Sequence, residues 1–395
     1  MKQNHRIFLV RPIEPNRGDV ISRYGLLKRM ARLAAPPRVV VLSQRDPGEL
    51  PLAAAVVRPG PLKDIIPRRE QFRLYERGDE VWWACGHDLQ DDSSALKLPF
   101  ILAKFLFFRL RGLSIRVIAQ GAGPITTPFG RWCTRGIMRL VKSASFRDSE
   151  SLALAAGIAP KSVDKMTQTI DCALFAADGT GKGRSKSASD KRRLVGVNLR
   201  RWYHFDGHWL PYEYRVRLGL IKEIPGDQKM ERFISEMARF LDKQVDERDI
   251  RIRLIPMYPR NVEPWEDDVT LLNELKSRMT HAEAVEVIEE DLPPEKLLAV
   301  FQDLDVMIGV RLHSTIIATM LGVPSLHLAY SPKGYSYFKM IGQERYCLPL
   351  DRLSTPEGWT GLEESMDEIL RDRDNISNHL TSRIEELRSH AEPLP

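Results

Sequence analysis

The chain has 395 residues, 43 % of them hydrophobic and 28 % charged. That balance suits two globular domains of roughly 150 to 200 residues each and excludes a disordered or fibrous protein. Its formal charge of +6 would attract an anionic substrate or membrane surface, whereas nucleic acid is set aside because the basic residues are dispersed and no recognition motif accompanies them.

In chain order, the four apolar residues before Arg11 are too few for a secretory signal and read as the core of a first strand, RIFLV. A helix DVISRYGLLKRMARL, strands RVVVL and EVWWA, an apolar helix, strand SIRVIAQ and a helix near Arg131 to Val141 follow. The apolar segment, residues 98–113, is interrupted by Lys104 and Arg109 and is too short to span a bilayer. A core-facing helix is favoured there over one lying on a membrane surface. Cys85, Cys133, Cys172 and Cys347 form no C-x-x-C pair, so neither a zinc site nor a disulfide framework is expected, and a reducing cytoplasm fits.

Residues 178–193, DGTGKGRSKSASDKRR, are rich in Gly, Ser and Lys and read as a linker between domain 1–177 and domain 194–360. Beyond the linker, strands VGVNLR, RIRLIPM and VEVIEE alternate with amphipathic helices. The first of these carries Met230, Phe233, Ile234, Met237, Phe240 and Leu241 on one face, with Asp227 placed to cap it. Residues 361–395 read as one or two helices packing on the domains. Short apolar strands alternating with helices imply parallel sheets covered on both faces, so the expected class is α/β, two Rossmann-like domains facing a cleft in the GT-B-like manner.

The chemistry is expected at residues 309–334, GVRLHSTIIATMLGVPSLHLAYSPKG. A strand Val306–Gly309 leads to Arg311 and His313 at its carboxyl end, Ser314 reads as a helix N-cap, and the helix N-terminus would hold an anion. Lys333 falls in a loop on the same rim. Trp202, Tyr203, His204, Phe205, His208, Trp209 and Tyr212 read as a loop whose rings could stack on a sugar.

Residues 309–342 resemble the C-terminal motif of the polysaccharide pyruvyl transferases: Arg-Leu-His-Ser, a small-residue helix, Gly-Val-Pro, a strand, a Tyr-x-x-Lys and a later Gly. Three N-terminal stretches resemble the same family: Arg17-Gly18-Asp19-Val20-Ile21, Gln120-Gly121-Ala122-Gly123-Pro124-Ile125, and Phe146-Arg147-Asp148-Ser149-Glu150-Ser151-Leu152. One stretch departs from it, because Ala84-Cys85-Gly86-His87-Asp88 stands where the family usually has a Gly-rich turn.

The resemblance implies a transferase that moves pyruvate from phosphoenolpyruvate onto a sugar of a cell-surface polysaccharide or its lipid-linked precursor, with no cofactor or metal. It would act in the cytoplasm or peripherally on the inner face of the membrane. His313 would be the catalytic acid/base; Arg147, Arg311, Ser314, Thr315 and Lys333 would bind the donor. Gly18, Asp19, His87, Gln120, Gly121 and Trp202 are candidates for the acceptor side. A nucleotide-sugar-dependent GT-B glycosyltransferase is the alternative, disfavoured because no acidic residue follows the RLHS helix before Glu344. A non-catalytic glycan-binding or scaffold protein is the second.

Overall fold

The structure is a computed structural model that describes residues 6–13, 16–43, 50–52, 54–57, 75–92, 94–178, 192–202, 215–216, 218–221, 227–258 and 266–395. Among the described residues the first sheet holds seven strands: β1 (Arg6–Ile13), β2 (Arg38–Ser43), β3 (Ala54–Val57), β4 (Glu80–Leu89), β5 (Ser114–Ala122), β6 (Ser143–Phe146) and β7 (Met166–Gln168). They run parallel in the order β3-β2-β1-β4-β5-β6-β7. Helices α1 (Arg17–Ala31), α2 (Lys97–Leu110), α3 (Pro128–Leu140) and α4 (Ser149–Ile158) connect them.

The second sheet holds six strands among the described residues: β8 (Arg193–Asn198), β9 (Ile250–Leu254), β10 (Val285–Val287), β11 (Val306–Gly309), β12 (Ser325–Ala329) and β13 (Cys347–Pro349). It too is parallel, in the order β10-β9-β8-β11-β12-β13. Its helices are α5 (Asp227–Arg248), α6 (Asp268–Ser277), α7 (Pro294–Gln302), α8 (Leu312–Met320) and α9 (Lys333–Met340), followed by the C-terminal α10 (Pro356–Arg371) and α11 (Arg373–Ser389). Both sheets start in the middle, wind outward, then reverse past the first strand, which leaves a crevice at the carboxyl ends beside β1 and β8. The strands are apolar on both faces, as parallel strands sandwiched by helices must be; Val195 and Val197 alternate with Leu194 and Gly196 in β8, and all four are buried.

Two expected boundaries shift. Asp227 is the first residue of α5 rather than the residue ahead of it. Strand EVWWA does not end in a turn but runs on as β4 to Leu89. The expected linker lies mostly outside the described residues, as do Tyr203, His204, Phe205, His208, Trp209 and Tyr212. Among the described residues no helix is long and apolar enough to cross a membrane.

Helix α1 binds the two halves together. Asn16 caps it, accepting a hydrogen bond from the Gly18 N–H at 2.8 Å. Arg17, almost fully buried, donates through its guanidinium to the carbonyl oxygens of Pro256 (2.7 Å) and Glu290, and its backbone N–H donates to Met257 O at 2.8 Å. About two turns later the Tyr24 hydroxyl donates to Glu295 at 2.6 Å. Burying a guanidinium is tolerable only while its donors are matched. Arg17→Met keeps the stem and removes the donors, leaving the buried Pro256 carbonyl and the part-buried Glu290 carbonyl without them. It is expected to cost on the order of 3 kcal/mol, read as a lower midpoint of urea unfolding.

Candidate functional site

The carboxyl edges of the two sheets meet around His313. That residue sits in the first turn of α8, directly after β11, where the chain must leave the sheet at its rim. Its Nε2 lies 3.3 Å from the Ser22 Oγ of α1 and 3.6 Å from Asp171 Oδ2, three residues beyond the end of β7. The Ser22 hydroxyl donates to Asp171 Oδ1 at 3.0 Å, so its oxygen is left to accept from the imidazole. Arg147, just past β6, donates to Asp171 Oδ2 at 2.9 Å, and the Ala173 N–H donates to Oδ1 at 2.9 Å. Burial alone would raise the Asp171 carboxyl. The hydrogen bond with His313 and the charge of Arg147 outweigh it and hold the group well below the usual carboxylate range.

Gly18 explains how α1 comes close enough. A Cβ there would lie 2.3 Å from the His313 Cβ and 2.6 Å from its Nδ1, so only glycine lets the helix backbone lie against the imidazole. Seven residues on, a Cβ at Gly25 would lie 1.9 Å from the Cys172 carbonyl oxygen, so the same face also admits the Asp171–Cys172 turn.

Arg311 is the N-cap of α8, not Ser314 as the sequence suggested. Its guanidinium is buried and forked onto Asp268, Nε to Oδ2 and Nη2 to Oδ1, both at 2.7 Å, with its plane 4.2 Å over the Tyr258 ring. Asp268 also accepts from the N–H groups of Met257 and Tyr258 at 3.0 Å. The pair ties the turn after β11 to the turn after β9. The Ser314 and Thr315 hydroxyls are buried and donate back into their own helix, to the carbonyls of Arg311 (2.7 Å) and Leu312 (2.8 Å). These three thus bond within the turn and its support.

Lys333 is the first residue of α9 rather than a loop residue, and its Nζ donates across the cleft to Gln90 Oε1 at 2.9 Å. Burial and the like charges of Lys97 and Arg147 push it down to about 7. Lys97 opens α2, beside Asp88 at 3.5 Å, and Arg200 follows β8, donating to the Tyr330 hydroxyl at 2.7 Å. Cations from four elements crowd one space.

On the N-terminal wall, Cys85 and Ala119 both have left-handed φ, 55° and 50°, and stand at the same level of β4 and β5, between the pairs Ala84↔Ile118 and Gly86↔Gln120. These matched irregularities turn both strand ends. His87 Nε2 is 2.5 Å from Gly123 O and must donate to it, while Nδ1 faces Gly121, whose absent Cβ would be 2.0 Å away. Burial, then Lys333 and Arg147, lower this imidazole well below its usual range, so it is neutral. His87 Nδ1 and Gln120 Oε1 are buried with no hydrogen-bond partner among the described residues. Asp19 is buried in α1, and Trp202 packs edge-on against Phe233 at 4.9 Å in the second domain's core. Among the described residues no group of His, Cys, Asp and Glu is arranged to hold a metal ion.

Sequence reading missed Ser22, Asp171, Lys97 and Asp268. Asp171 and Lys97 stand after strand ends, where ligands bind in open α/β sheets, and that rule could have found them. Gly18→Ala is expected to push the imidazole off Asp171 and to cost about 1–3 kcal/mol by overpacking. A lower melting temperature and a shifted His313 ring resonance would register both effects.

A family model described as polysaccharide pyruvyl transferase matches residues 16–332. No curated protein matches the sequence. Among solved structures, the chain is similar to HepE of Anabaena in complex with UDP and glucose, with TM-score 0.54, 10 % identity, and 98 % of this chain and 95 % of that one covered. It is also similar to MnaA of S. aureus with UDP (TM-score 0.55, 14 % identity, 98 % and 95 % covered). A UDP-GlcNAc 2-epimerase from Methanocaldococcus jannaschii is a third (TM-score 0.53, 13 % identity, 91 % of each covered). At these identities the likeness shows a shared two-domain fold and nothing of their ligands.

Proposed function

The chain belongs to the polysaccharide pyruvyl transferase family and is a transferase; from that premise we propose that it moves pyruvate from phosphoenolpyruvate onto a sugar of a cell-surface polysaccharide or its lipid-linked precursor, releasing phosphate. The observation that carries this reading is the crowding of Lys97, Arg147, Arg200 and Lys333 about one space, with Arg147 also donating to the Asp171 of the His313–Asp171 pair. Phosphoenolpyruvate has about three negative charges near neutral pH and calls for such a site. In the overall reaction two sugar hydroxyls bond to the donor's C2 and its bond to the phosphate oxygen breaks. One hydroxyl proton ends on the methylene carbon, making it methyl, and the other leaves with phosphate. Atoms and charge balance with no cofactor.

We assign the proton transfers to His313. Its Nε2 is held by Ser22 and Asp171, which leaves Nδ1, on the side where the Gly18 backbone packs close, as the nitrogen to exchange a proton. Asp171 fixes the ring and would stabilise its charged form, while Lys333, Lys97 and Arg147 take the anion. Arg311 is a positioning residue in this assignment, since Asp268 already fills its fork. On the acceptor side, the unpartnered His87 Nδ1 and Gln120 Oε1 are acceptors that sugar hydroxyls would satisfy. A lipid-linked acceptor would bring the enzyme to the cytoplasmic face of the membrane.

Phosphate release from phosphoenolpyruvate with candidate acceptors tests the reading, with nucleotide sugars as the contrasting donors. His313→Ala is expected to lower kcat by about 10²–10⁴ with donor affinity retained; near-normal turnover at saturating donor would remove His313 from the chemistry. Lys333, set at about 7, is an ammonium below that pH and a neutral amine above it. Phosphoenolpyruvate affinity, measured by calorimetry, is therefore expected to fall up to about tenfold per pH unit above 7. Lys333→Met should flatten that slope.

A further inference from the structure

Helix α2 is apolar on both sides. Leu98, Ile101, Leu102, Phe105 and Phe108 face the core of the first domain. On the opposite side Leu96, Leu106 and Leu110 are 50 %, 46 % and 87 % exposed, in line with half-buried Phe100 and Phe107 and exposed Ala103. Helix α3 packs alongside, Gly136 lying against Leu102 and Gly130 near Leu98, and on the same outer surface it carries Phe129 and Trp132, 55 % and 58 % exposed and stacked at 5.8 Å. An all-round apolar helix is ordinarily covered. Here half of it faces outward as one continuous patch.

The charge around the patch says what covers it. Residues 93–147 contain ten Lys and Arg and no Asp or Glu; of the ten, Lys104 and Arg147 are buried and Arg116 pairs with Glu80, and the rest are left for the surface. Arg139 lies on the outer stripe of α3 with Phe129 and Trp132, Arg131 is beside them, and Arg109 and Arg111 close the far end of α2. A second copy of this face would set arginines against arginines, which disfavours a symmetric dimer. Apolar and aromatic side chains fringed by arginines match an anionic lipid bilayer, whose headgroups take the charges and whose acyl boundary takes the rings.

The patch also leads to the cleft. Lys97, at the start of α2, pairs with Asp88 at 3.5 Å and donates to the His87 carbonyl at 3.5 Å. Thr126 and Thr127, ahead of α3, are held by Asp91 at the end of β4. The N-terminal edge of the patch, Leu96 and Phe129, is therefore at the rim of the site. We propose that the outer faces of α2 and α3 form a docking surface for anionic membrane, which seats the cleft mouth at the bilayer. The choice of a lipid occupant agrees with the proposed function, but vesicle binding needs no substrate, so failure of one leaves the other standing.

Flotation of the full chain with vesicles of phosphatidylcholine and phosphatidylglycerol, against phosphatidylcholine alone, tests it. The chain is expected to float with the anionic vesicles and at least about tenfold less with the neutral ones. Arg131→Glu with Arg139→Glu should weaken binding by about 25-fold or more, at about fivefold per charge near the surface. Leu110→Ser with Trp132→Ser should weaken it about tenfold, with melting temperature and phosphate release on a water-soluble acceptor unchanged. Absence of anionic-vesicle binding, or binding untouched by Leu110→Ser/Trp132→Ser, would overturn the proposal. So would a dimer in sedimentation that the same pair of substitutions dissolves, since the face would then be a subunit contact.

Discussion

Everything at the cleft depends on one steric constraint: α1 must lie against two partners at once, the imidazole on α8 and the Asp171–Cys172 turn after β7. Gly18, Ser22 and Gly25 are spaced to share a face of the helix. The two glycines remove side chains that would otherwise hold the partners off, and Ser22 between them supplies the one small hydroxyl that reaches both Asp171 and His313. Eleven of the fifteen residues of α1 are buried, including Arg17, Asp19 and Arg23, so the helix belongs to neither domain's surface. Arg17 in particular is spent on cross-domain contacts rather than on water. The geometry of the His313 pair and the relative placement of the sheets are thus one problem with one solution.

The electrostatics follow the same economy. Each buried carboxylate near the cleft is committed: Asp171 to Arg147, Ser22 and His313, Asp268 to Arg311 and two backbone N–H groups. The cleft's cations are partly answered, Lys97 by Asp88 at 3.5 Å and Arg200 by Glu266 at 3.7 Å, but they stand close enough to repel one another. The cost shows in Lys333, whose nearest hydrogen-bond partner is a neutral amide and whose ammonium is disfavoured by its neighbours. A site that raises the energy of its own cations in this way stores affinity for an anion, because a bound anion relieves the same repulsion.

The architecture was legible because period-two and period-3.6 patterns are local, and a parallel sheet writes them in nearly every segment. The strand–helix turn around His313 was legible for the same reason. What was hidden is non-local. Nothing near Arg311 in sequence announces that Asp268, 43 residues earlier, fills its fork. Ser314 resembled a cap by residue type alone, whereas the backbone places the cap at Arg311 and turns the hydroxyl inward. Ser22 in mid-helix and Asp171 in a short turn carry no periodic signal; only the pairing of domains makes them meet.

The N-terminal wall departs from the family pattern in its backbone. A glycine-rich turn brings backbone close to a ligand; here β4 continues instead, and the paired left-handed residues Cys85 and Ala119 bend both strands at one level. The bend spends conformational strain of order 1–3 kcal/mol per residue, which persists only where the surroundings fix it. Its effect is to bring His87 over Gly121, neutral, with Nδ1 buried and unpartnered among the described residues. A charged imidazole at that point would add to the repulsion already felt by Lys333; a neutral one contributes a lone pair without a charge. The side chain that replaces the glycine therefore changes the wall from a backbone surface to a hydrogen-bond acceptor while leaving the positive balance of the cleft untouched.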